Sequence, residues 1–462
     1  MTAQRPNIIL ITIDSLRSNH LGCYGYHRNT SPNIDNLAKR GALFLEAISN
    51  GGGTPHAFPS ILASVLPPVA WTKQIQPWGK TLAELLKEAG YETAAFHSNP
   101  FLSRFYGYSR GFDLFNDNLG EYSLFKGRLW MRAMAKRQRG FKAKALIKLA
   151  KIFRPILSRV ERPITTAQEI TNQALSWLKG HRGGFFLWLH YMDVHHPYLP
   201  APEYLSQFRD QPVSRKRMAS LYRKMLKDPG KLSPSEVATL IDLYDADIRY
   251  VDDNISLLLD SLGNNLANTT VIVTADHGDE LGERGKFSHQ SLYDGIIRVP
   301  LIIAGSGIKA ETLVKQQVSL LDLAPTICEL VGIDKVPSFQ GESLLPVIRG
   351  EEGVAKGTIS TLNRPDWGQR LLAYRTPNWK YIRTESLDEA NALLSEEIYD
   401  LRNDPQERHN LHSTEDEEAR AFELEAINEL IRFKQLKSEK NTAYEEERIK
   451  AKIRELKKYG KV

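Results

Sequence analysis

The chain has 462 residues, 42% of them hydrophobic, which is enough for one large domain with its own core and a smaller second domain. A net charge of +6 is modest for this length, so overall charge predicts no nucleic-acid partner. Two cysteines exclude a disulfide framework and a cysteine-rich metal cluster, and they favour a reducing compartment. Since no window holds eighteen uncharged apolar residues, the sequence predicts a cytoplasmic protein without a membrane span.

Short apolar runs alternate with helical patterns over the first 350 residues. The runs predict strands at residues 7–13, 93–96, 185–190, 269–276 and 299–305. A helix that leads into a strand is predicted at 32–45, and further helices at 81–89 and 234–262. This alternation is typical of an α/β fold in which helices sandwich a large, mostly parallel sheet.

The sequence changes character after about residue 350. LLAYRT, WKYIRT and EEIYDL predict short antiparallel strands of a small C-terminal α+β subdomain. We therefore predict a large domain over 1–350, the small subdomain over 351–430 and a charged helical tail over 431–462.

Residues 126–159 contain twelve Lys or Arg residues and no acid. Lys144, Lys148 and Lys151 share one helical face, while leucines and a phenylalanine populate the other. We interpret 126–165 as a basic helical insertion with two alternative roles. It either packs its apolar face on its own domain or lies on an anionic membrane surface, which would be the inner face for a cytoplasmic protein.

Two predicted strands end in acids. Asp14 follows the first strand, and Asp276 follows the strand at 269–275, with His277 next to it. Either acid alone would serve as a helix cap, but ligands of open parallel sheets bind at the carboxyl ends of the strands. Together the two carboxylates and the imidazole predict a site for one divalent cation.

The stretch SNGGGTP places Thr54 between three glycines and Pro55. Thr is a favoured N-cap and Pro a favoured first helical residue, so the stretch predicts a helix start by itself. A hydroxyl beside a bound cation is also a candidate nucleophile, because the metal lowers its pKa and orients it. Thr54 is therefore predicted to cap the helix and to bind the metal.

Four long segments resemble the sulfatase family of the alkaline phosphatase superfamily. They are NIILITIDSLRSNHLGCYGYHRNTSPNIDNLAKRG, LHYMDVHHPYLP, TADHGDELGERGKFSHQSLYDGIIRVPLII and EEIYDLRNDPQERHNL. The resemblance covers about residues 6–412 and implies an alkaline-phosphatase-like sheet domain with a small four-stranded C-terminal subdomain. It also implies a metal-bound nucleophile that attacks sulfate or phosphate esters.

The resemblance implies roles for individual residues. Asp14, Asp276 and His277 match metal ligands, and the cation is expected to be Ca²⁺ or Mn²⁺, with Mg²⁺ or Zn²⁺ as alternatives. His195 and His289 match histidines that bind the substrate or its leaving group. Arg17 and His190 are weaker candidates, and His196 is treated as a neighbour.

The chain departs from the family pattern at two places. Asp14 is followed by Ser15 instead of a second acid, and the Cys/Ser-x-Pro-x-Arg context that is modified to formylglycine is absent. Two alignments of the nucleophile segment compete. Matching Pro59-Ser60 puts Ala57 at the nucleophile position and predicts an inactive protein, whereas matching Ala63-Ser64 puts Thr54 there. We favour Thr54, because it supplies a hydroxyl and explains the glycines.

The sequence therefore predicts a metal-dependent hydrolase of sulfate or phosphate esters. One alternative is a transferase that passes a phosphoethanolamine- or phosphoglycerol-type group to a glycan or lipid, and another is an inactive binding homologue. The expected partner is an anionic ester, either glycan- or lipid-linked, and the oligomeric state is left open.

Overall fold

The predicted alternation of strands and helices is present in a computed structural model, which describes residues 5–67, 79–119, 165–181, 184–351, 357–387 and 392–436. The described strands are β1 (Asn7–Ile13), β2 (Ala42–Ile48), β3 (Glu92–Phe96), β4 (Leu114–Asn116), β5 (Phe185–Tyr191), β6 (Thr269–Ala275), β7 (Glu280–Leu281), β8 (Phe287–Ser288), β9 (Arg298–Ala304), β10 (Thr312–Ser319), β11 (Thr358–Arg364), β12 (Gln369–Arg375), β13 (Trp379–Ser386) and β14 (Leu393–Asp400).

The described α-helices are α1 (Pro32–Lys39), α2 (Thr54–Ala63), α3 (Leu82–Glu88), α4 (Ala167–Leu178), α5 (Pro202–Leu205), α6 (Arg215–Lys227), α7 (Pro234–Leu262), α8 (Asp294–Ile297), α9 (Leu323–Leu330), α10 (Leu345–Ile348) and α11 over residues 417–436. Local sequence explains several helix starts. Capping boxes begin α3 and α7, where Thr81 and Ser233 accept hydrogen bonds from the backbone N–H three residues later.

Eight strands form the large sheet in the order β10-β2-β9-β6-β1-β5-β3-β4. β9 runs antiparallel to both of its neighbours, β6 and β2, and the other pairs in this sheet are parallel. The buried run of β9 looks the same as that of a parallel strand, because both of its faces are covered. The predicted class, a large and mostly parallel sheet with helices, is confirmed.

Two groups of helices pack on this sheet. α7 packs against α1 and α4, while α2, α3 and α9 contact one another. One continuous apolar core joins the sheet to both groups, and β1, β5, β6 and β9 supply its fully buried centre.

A second, antiparallel sheet has the order β11-β12-β13-β14, in agreement with the predicted C-terminal subdomain. Leu371 and Ile382 share a small apolar core with Ile48 and Ile296 of the large domain. A separate core forms between this sheet and α11, where Phe433 is buried. The two sheets are therefore joined by packed apolar side chains.

Some predictions concern residues outside the described ranges. The basic segment 126–159 is one of them, and most of the predicted tail is another. The domain boundaries remain predictions. Among the described residues, no helix combines the length and apolar character that crossing a bilayer requires.

Candidate active site

The two strand-end acids lie side by side. β1 and β6 are neighbouring parallel strands whose last residues, Ile13 and Ala275, are paired in register. Asp14 and Asp276 therefore leave the sheet at the same edge, and both are completely buried. The arrangement follows from the sheet order, because parallel strands deliver their next residues to one edge.

His277 completes a cluster with the two acids, which we call the site cluster (Asp14, Asp276 and His277). One ligand atom from each residue lies within 4.8 Å of the others. His277 Nδ1 donates to the Gly278 carbonyl oxygen at 2.9 Å, so the lone pair is on Nε2. That nitrogen lies 3.7 Å from Asp14 Oδ1 and 3.6 Å from Asp276 Oδ2.

Two atoms of the site cluster are buried without any hydrogen-bond partner, Asp276 Oδ2 and His277 Nε2. They lie 3.6 Å apart, which is too far for a hydrogen bond between them. Carboxylate oxygens and an imidazole nitrogen that converge in this way fit a divalent cation.

The two carboxylates have opposite pKa shifts. Burial, together with the charge of Asp14, raises the pKa of Asp276 to about 8. Burial alone would raise the pKa of Asp14, but the nearby imidazoles of His195, His190 and His277 hold it well below its usual range. Without a cation the cluster therefore keeps one proton between its two acids.

Thr54 is the first residue of α2, and its hydroxyl faces the site cluster. Thr54 Oγ1 donates to Asp14 Oδ2 at 3.3 Å. The predicted capping role is wrong, because Gly53 is the N-cap residue and its carbonyl accepts the first α-helical hydrogen bond, from Ala57 N–H at 3.1 Å. The helix begins one residue earlier than Pro55 suggests, which leaves the Thr54 hydroxyl available to the acids.

The glycines before Thr54 are explained by close packing. The backbone around Gly51 forms a bridge with Thr361 of β11, where Gly52 N–H donates to the Thr361 carbonyl and Thr361 N–H donates to the Asn50 carbonyl. A Cβ on Gly52 would lie 2.7 Å from the Ser291 carbonyl oxygen. The second sheet therefore fixes the loop that carries Thr54.

Ala57, the competing residue, lies within α2 and is fully buried. Thr54 is the one of the two that contacts Asp14, which supports the alignment that places a hydroxyl at the site. The assignment of Thr54 as nucleophile remains a prediction.

Asn99 is a site residue that the sequence analysis missed. Its Nδ2 donates to Asp14 Oδ2 at 3.0 Å and lies 3.4 Å from Thr54 Oγ1. Asn99 follows β3, a strand of the same parallel sheet. The rule that identified Asp14 and Asp276, a polar residue just beyond a buried strand, would also have identified Asn99.

The two weaker candidates have different positions. His190, at the end of β5, has Nε2 3.5 Å from Asp14 Oδ2, so it lies in the site. Arg17 instead binds Glu283 at 2.8 Å and the Asp279 carbonyl oxygen at 2.9 Å. It therefore supports the segment after β6.

His195 and His289 lie beside the site cluster. The rings of His289 and His277 have centroids 4.5 Å apart, and those of His195 and His289 are 5.2 Å apart. His289 Nδ1 donates to Asp279 Oδ1 at 2.8 Å, and Asp279 Oδ2 accepts a hydrogen bond from Tyr198 at 3.0 Å. Burial raises the pKa of Asp279 to about 6, although nearby imidazoles oppose the shift. The two predicted substrate-side histidines are therefore neighbours in one pocket, and their roles remain predictions.

Fold and site together define the class of this protein. The mixed eight-stranded sheet, with acids at the ends of β1 and β6 and a hydroxyl at the start of α2, has the fold of solved sulfatases and phosphonate monoester hydrolases. The sequence model of the Sulfatase family matches residues 6–333, and the chain belongs to that family. A model described as N-sulphoglucosamine sulphohydrolase, C-terminal, matches residues 282–439.

Individual relatives agree with this assignment. An uncharacterized sulfatase, YidJ, of Escherichia coli is 27% identical over 435 residues, which cover 88% of this chain and 83% of the relative. A solved structure that contains its substrate, D-glucosamine-2-N,6-O-disulfate, superposes with a TM-score of 0.72 at 19% identity, covering 94% of this chain and 99% of that chain. The phosphonate monoester hydrolase of Agrobacterium radiobacter gives 0.69 at 18% identity, covering 94% and 96%.

These comparisons confirm two of the sequence predictions: the family, and an enzyme of the sulfuric or phosphoric ester hydrolase class. Sulfatase-family proteins generally use a divalent metal, and the site cluster offers a suitable set of ligands.

Proposed function

We propose that this protein hydrolyses sulfate esters, with Thr54 as the nucleophile and the site cluster as the cation ligands. The observation that carries the proposal is the Thr54 hydroxyl, which donates to a buried carboxylate in a cluster with two unpartnered acceptor atoms. A divalent cation bound there supplies Lewis-acid polarisation of the ester and lowers the pKa of the hydroxyl.

The protein's own groups account for the covalent steps. Asp14 orients the Thr54 hydroxyl, whose oxygen attacks sulfur in line with the departing alcohol. The Asn99 amide, 3.4 Å from Thr54 Oγ1, is placed to donate to the oxygens that gain charge. The bond from sulfur to the alcohol oxygen breaks, and a sulfo-threonine ester remains.

His195 and His289 are proposed to carry the protons. In both rings Nδ1 donates to an oxygen, so Nε2 has the lone pair. Such a nitrogen takes the proton of the attacking hydroxyl and returns it to the alcohol that leaves. Water then attacks the sulfo-threonine at sulfur, and sulfate departs as Thr54 regains its proton.

Sulfated sugars are the substrate class that we propose. The family model matched at the C-terminal half is that of an N-sulphoglucosamine sulphohydrolase, and one structural neighbour contains a sulfated glucosamine. Phosphate esters are a second candidate, because an unmodified threonine ester must be cleared by direct in-line attack, which phosphoryl transfer tolerates well.

Matched substrates test this proposal. We expect the metal-reconstituted protein to release nitrophenol faster from 4-nitrophenyl sulfate than from 4-nitrophenyl phosphate, and to release sulfate from D-glucosamine-2-N,6-O-disulfate. Rapid quenching followed by mass spectrometry should find a sulfo-adduct on the peptide that contains Thr54. Faster turnover of the phosphate ester would assign the second candidate, and no turnover of any of the three would refute the proposal. Transfer to an added sugar instead of water would identify the transferase alternative.

A further inference from the structure

A small cavity lies between the second sheet and the segment that follows β8. We call it the Arg364 pocket, and its polar lining includes Lys286, Ser291, Arg364, Thr384 and Glu397. The cavity has a volume of about 210 Å³. Pockets that hold drug-sized ligands measure about 300–1,000 Å³, so this one has room for a single sugar ring and not for a longer chain.

Arg364 is the half-buried cation of this lining, and its guanidinium is held in one orientation. Nη1 donates to the Gln290 carbonyl oxygen at 2.8 Å, and Nη2 donates to the side-chain oxygen of Gln369. The guanidinium carbon lies 4.3 Å from the centre of the Trp367 ring, which is a cation–π contact. An arginine fixed in this way is preorganised to bind a carboxylate or a sulfate group.

No carboxylate of the described residues forms an ion pair with Arg364, and its Nε is buried without a hydrogen-bond partner. Another arginine of the second sheet differs, because Arg375 contacts both Asp294 and Glu46. Burial lowers the pKa of Arg364, and the more distant charge of Glu397 only opposes that shift. A buried donor without an acceptor is rare in folded proteins, so the pocket lacks an anionic partner for this side chain.

The other charged groups of the lining leave a net positive charge. Lys286 is exposed, and its ammonium lies 5.4 Å from the centre of the Tyr293 ring. Glu397 Oε2 accepts hydrogen bonds from the hydroxyls of Tyr293 and Tyr399, both at 2.7 Å. Two cations and one carboxylate therefore give the pocket one net positive charge, which suits a ligand with one negative charge.

Hydroxyl and apolar side chains complete the lining. The hydroxyls belong to Ser291, Thr384 and Ser395, and the apolar part includes Leu371 and Ile382. A sugar ring combines hydroxyl groups at its edge with apolar C–H groups on its faces. A sugar that carries one acidic group therefore matches the size, the charge and the mixed polarity of this cavity.

A short backbone segment connects the pocket with the active site. His289 faces the site cluster, where its ring centroid is 4.5 Å from that of His277. The next residue, Gln290, accepts the hydrogen bond from Arg364, and Ser291 lines the pocket. Two residues of extended chain span at most about 7 Å, so the pocket wall begins close to the catalytic histidine.

We propose that the Arg364 pocket binds a single sugar ring that carries one carboxylate or sulfate group, with Arg364 and Lys286 holding that group. Two sources share this chemistry. One is the sugar next to the sulfated unit within the substrate, and the other is a free sugar acid. The first source rests on the proposed function, whereas binding of the acidic ring does not depend on it.

Direct binding of D-glucuronate tests the proposal. A ligand-observed NMR titration is run in excess chelator, so that no cation at the site cluster holds the carboxylate. We expect saturable binding by the parent protein that weakens about 10- to 100-fold in Arg364→Gln and in Lys286→Met, because each variant loses a hydrogen bond to a charged group. D-glucose, which has no acidic group, should bind the parent more weakly than D-glucuronate by a similar factor.

Arg104→Gln is the matched control, because Arg104 has a 60% exposed side chain away from this lining and should leave the affinity unchanged. Lys286→Met keeps the test decisive if Arg364→Gln does not fold, since Lys286 is exposed. No saturable binding by the parent protein would overturn the proposal. Equal affinity in the parent and in the folded pocket variants would overturn it as well.

Turnover separates the two sources of the ring. If the substrate supplies it, Lys286→Met should raise KM for a disaccharide of sulfated glucosamine and glucuronate, and should leave KM for D-glucosamine-2-N,6-O-disulfate unchanged. If KM is unchanged for both while D-glucuronate binding is weakened, the ligand is a free sugar acid. A complete lack of ester turnover would refute the proposed function, and D-glucuronate binding would still establish this site.

Discussion

Two buried clusters of charge in this protein differ in what neutralises them. In the site cluster, Asp14 and Asp276 face an imidazole, a hydroxyl and an amide, and no Lys or Arg of the described residues forms an ion pair with either acid. A second group, which we call the joint cluster (Asp294, Arg375, Lys380 and Glu407), lies between α8 and the second sheet. There every carboxylate contacts a cationic side chain.

Contacts in the joint cluster are dense. Arg375 holds both oxygens of Asp294, at 3.0 and 2.8 Å, and the completely buried Lys380 ammonium contacts Asp294 and lies 2.6 Å from Glu407. Although burial opposes the shift, Arg375 and Lys380 hold the pKa of Asp294 well below its usual range. In the site cluster, burial and a neighbouring acid raise the pKa of Asp276 to about 8.

The comparison shows that carboxylates buried to a similar extent have different consequences in the two clusters. The joint cluster contains its own cations, so losing any one of its partners leaves a buried charge less well compensated. The site cluster leaves its negative charge without a protein cation, which costs stability and creates affinity for an external one. The two are structurally linked, because the segment just before Asp294 packs against Gly52 beside Thr54.

The largest expected effect is on turnover, when the Thr54 hydroxyl is removed and the charged residues of both clusters are left unchanged. Thr54→Ala should reduce turnover of a sulfate ester by about 10⁶-fold, the loss seen when a protease loses its covalent nucleophile. Thr54→Ser should keep part of the activity, because it restores an attacking oxygen. Initial rates with 4-nitrophenyl sulfate measure both effects, and zinc or calcium content serves as the control. Parental turnover in Thr54→Ala would show that another group attacks the ester.

The next largest effect concerns the joint cluster. Asp294→Asn removes the carboxylate that Arg375 and Lys380 share and leaves them only Glu46 and Glu407, so it should lower the free energy of unfolding by about 3 kcal/mol. Urea unfolding followed by circular dichroism measures the loss. Glu88→Gln is the control, because Glu88 and its partner Lys80 have side chains that are 57% and 53% exposed, and such pairs contribute about 0–1 kcal/mol. Equal losses in the two variants would contradict the contrast between buried and exposed pairs.

The corresponding substitution in the site cluster, Asp276→Asn, should change the free energy of unfolding in the opposite direction. In metal-free protein, Asp276→Asn removes a buried, unpartnered carboxylate oxygen, so the free energy of unfolding should rise by about 1–3 kcal/mol. Cation binding at this site should be lost at the same time. Urea unfolding in excess chelator, with metal analysis of the same samples, measures both quantities. Destabilisation equal to that of Asp294→Asn would refute the proposed difference between the clusters.

The sequence predicted the site cluster far better than the joint cluster. Asp14 and Asp276 follow buried apolar strands, and the edge at which parallel strands end follows from the fold class, so their meeting was predictable. Asn99 obeys the same rule and was missed only because an amide after a strand is a weaker signal than an acid. The start of α2 was misplaced by one residue, because Thr-Pro satisfies the capping preference equally well one position later.

The joint cluster could not be predicted in the same way. Asp294, Lys380 and Glu407 are far apart in the chain, and none of them belongs to a local pattern that marks a buried charge. They meet because the second sheet packs on α8, a contact set by apolar side chains such as Ile296 and Ile382. The antiparallel direction of β9 was hidden for a similar reason, since strand direction depends on neighbours and not on the apolar run itself.

The smallest predicted effect is the acid sensitivity of the joint cluster. The folded-state pKa of Asp294 lies well below the value of about 3.9 for an unfolded aspartate, so its ionised form contributes stability above that pH. The contribution is lost as the pH falls through the acid range, because the unfolded chain takes up the proton first. Between pH 5 and pH 3 the parent protein should therefore lose about 1 kcal/mol more than Asp294→Asn does.

Urea unfolding of both proteins at pH 5, 4 and 3 measures this difference, and Glu88→Gln again provides the exposed-carboxylate control. Chelator is present throughout, so that metal loss from the site cluster adds nothing to the slope. Asp294→Asn should give the flatter curve, because the group that titrates is gone while the two cations remain. Parallel curves for the parent and Asp294→Asn would mean that Arg375 and Lys380 do not hold Asp294 ionised. The contrast between a cluster with internal cations and one without would then rest on Asp276 alone.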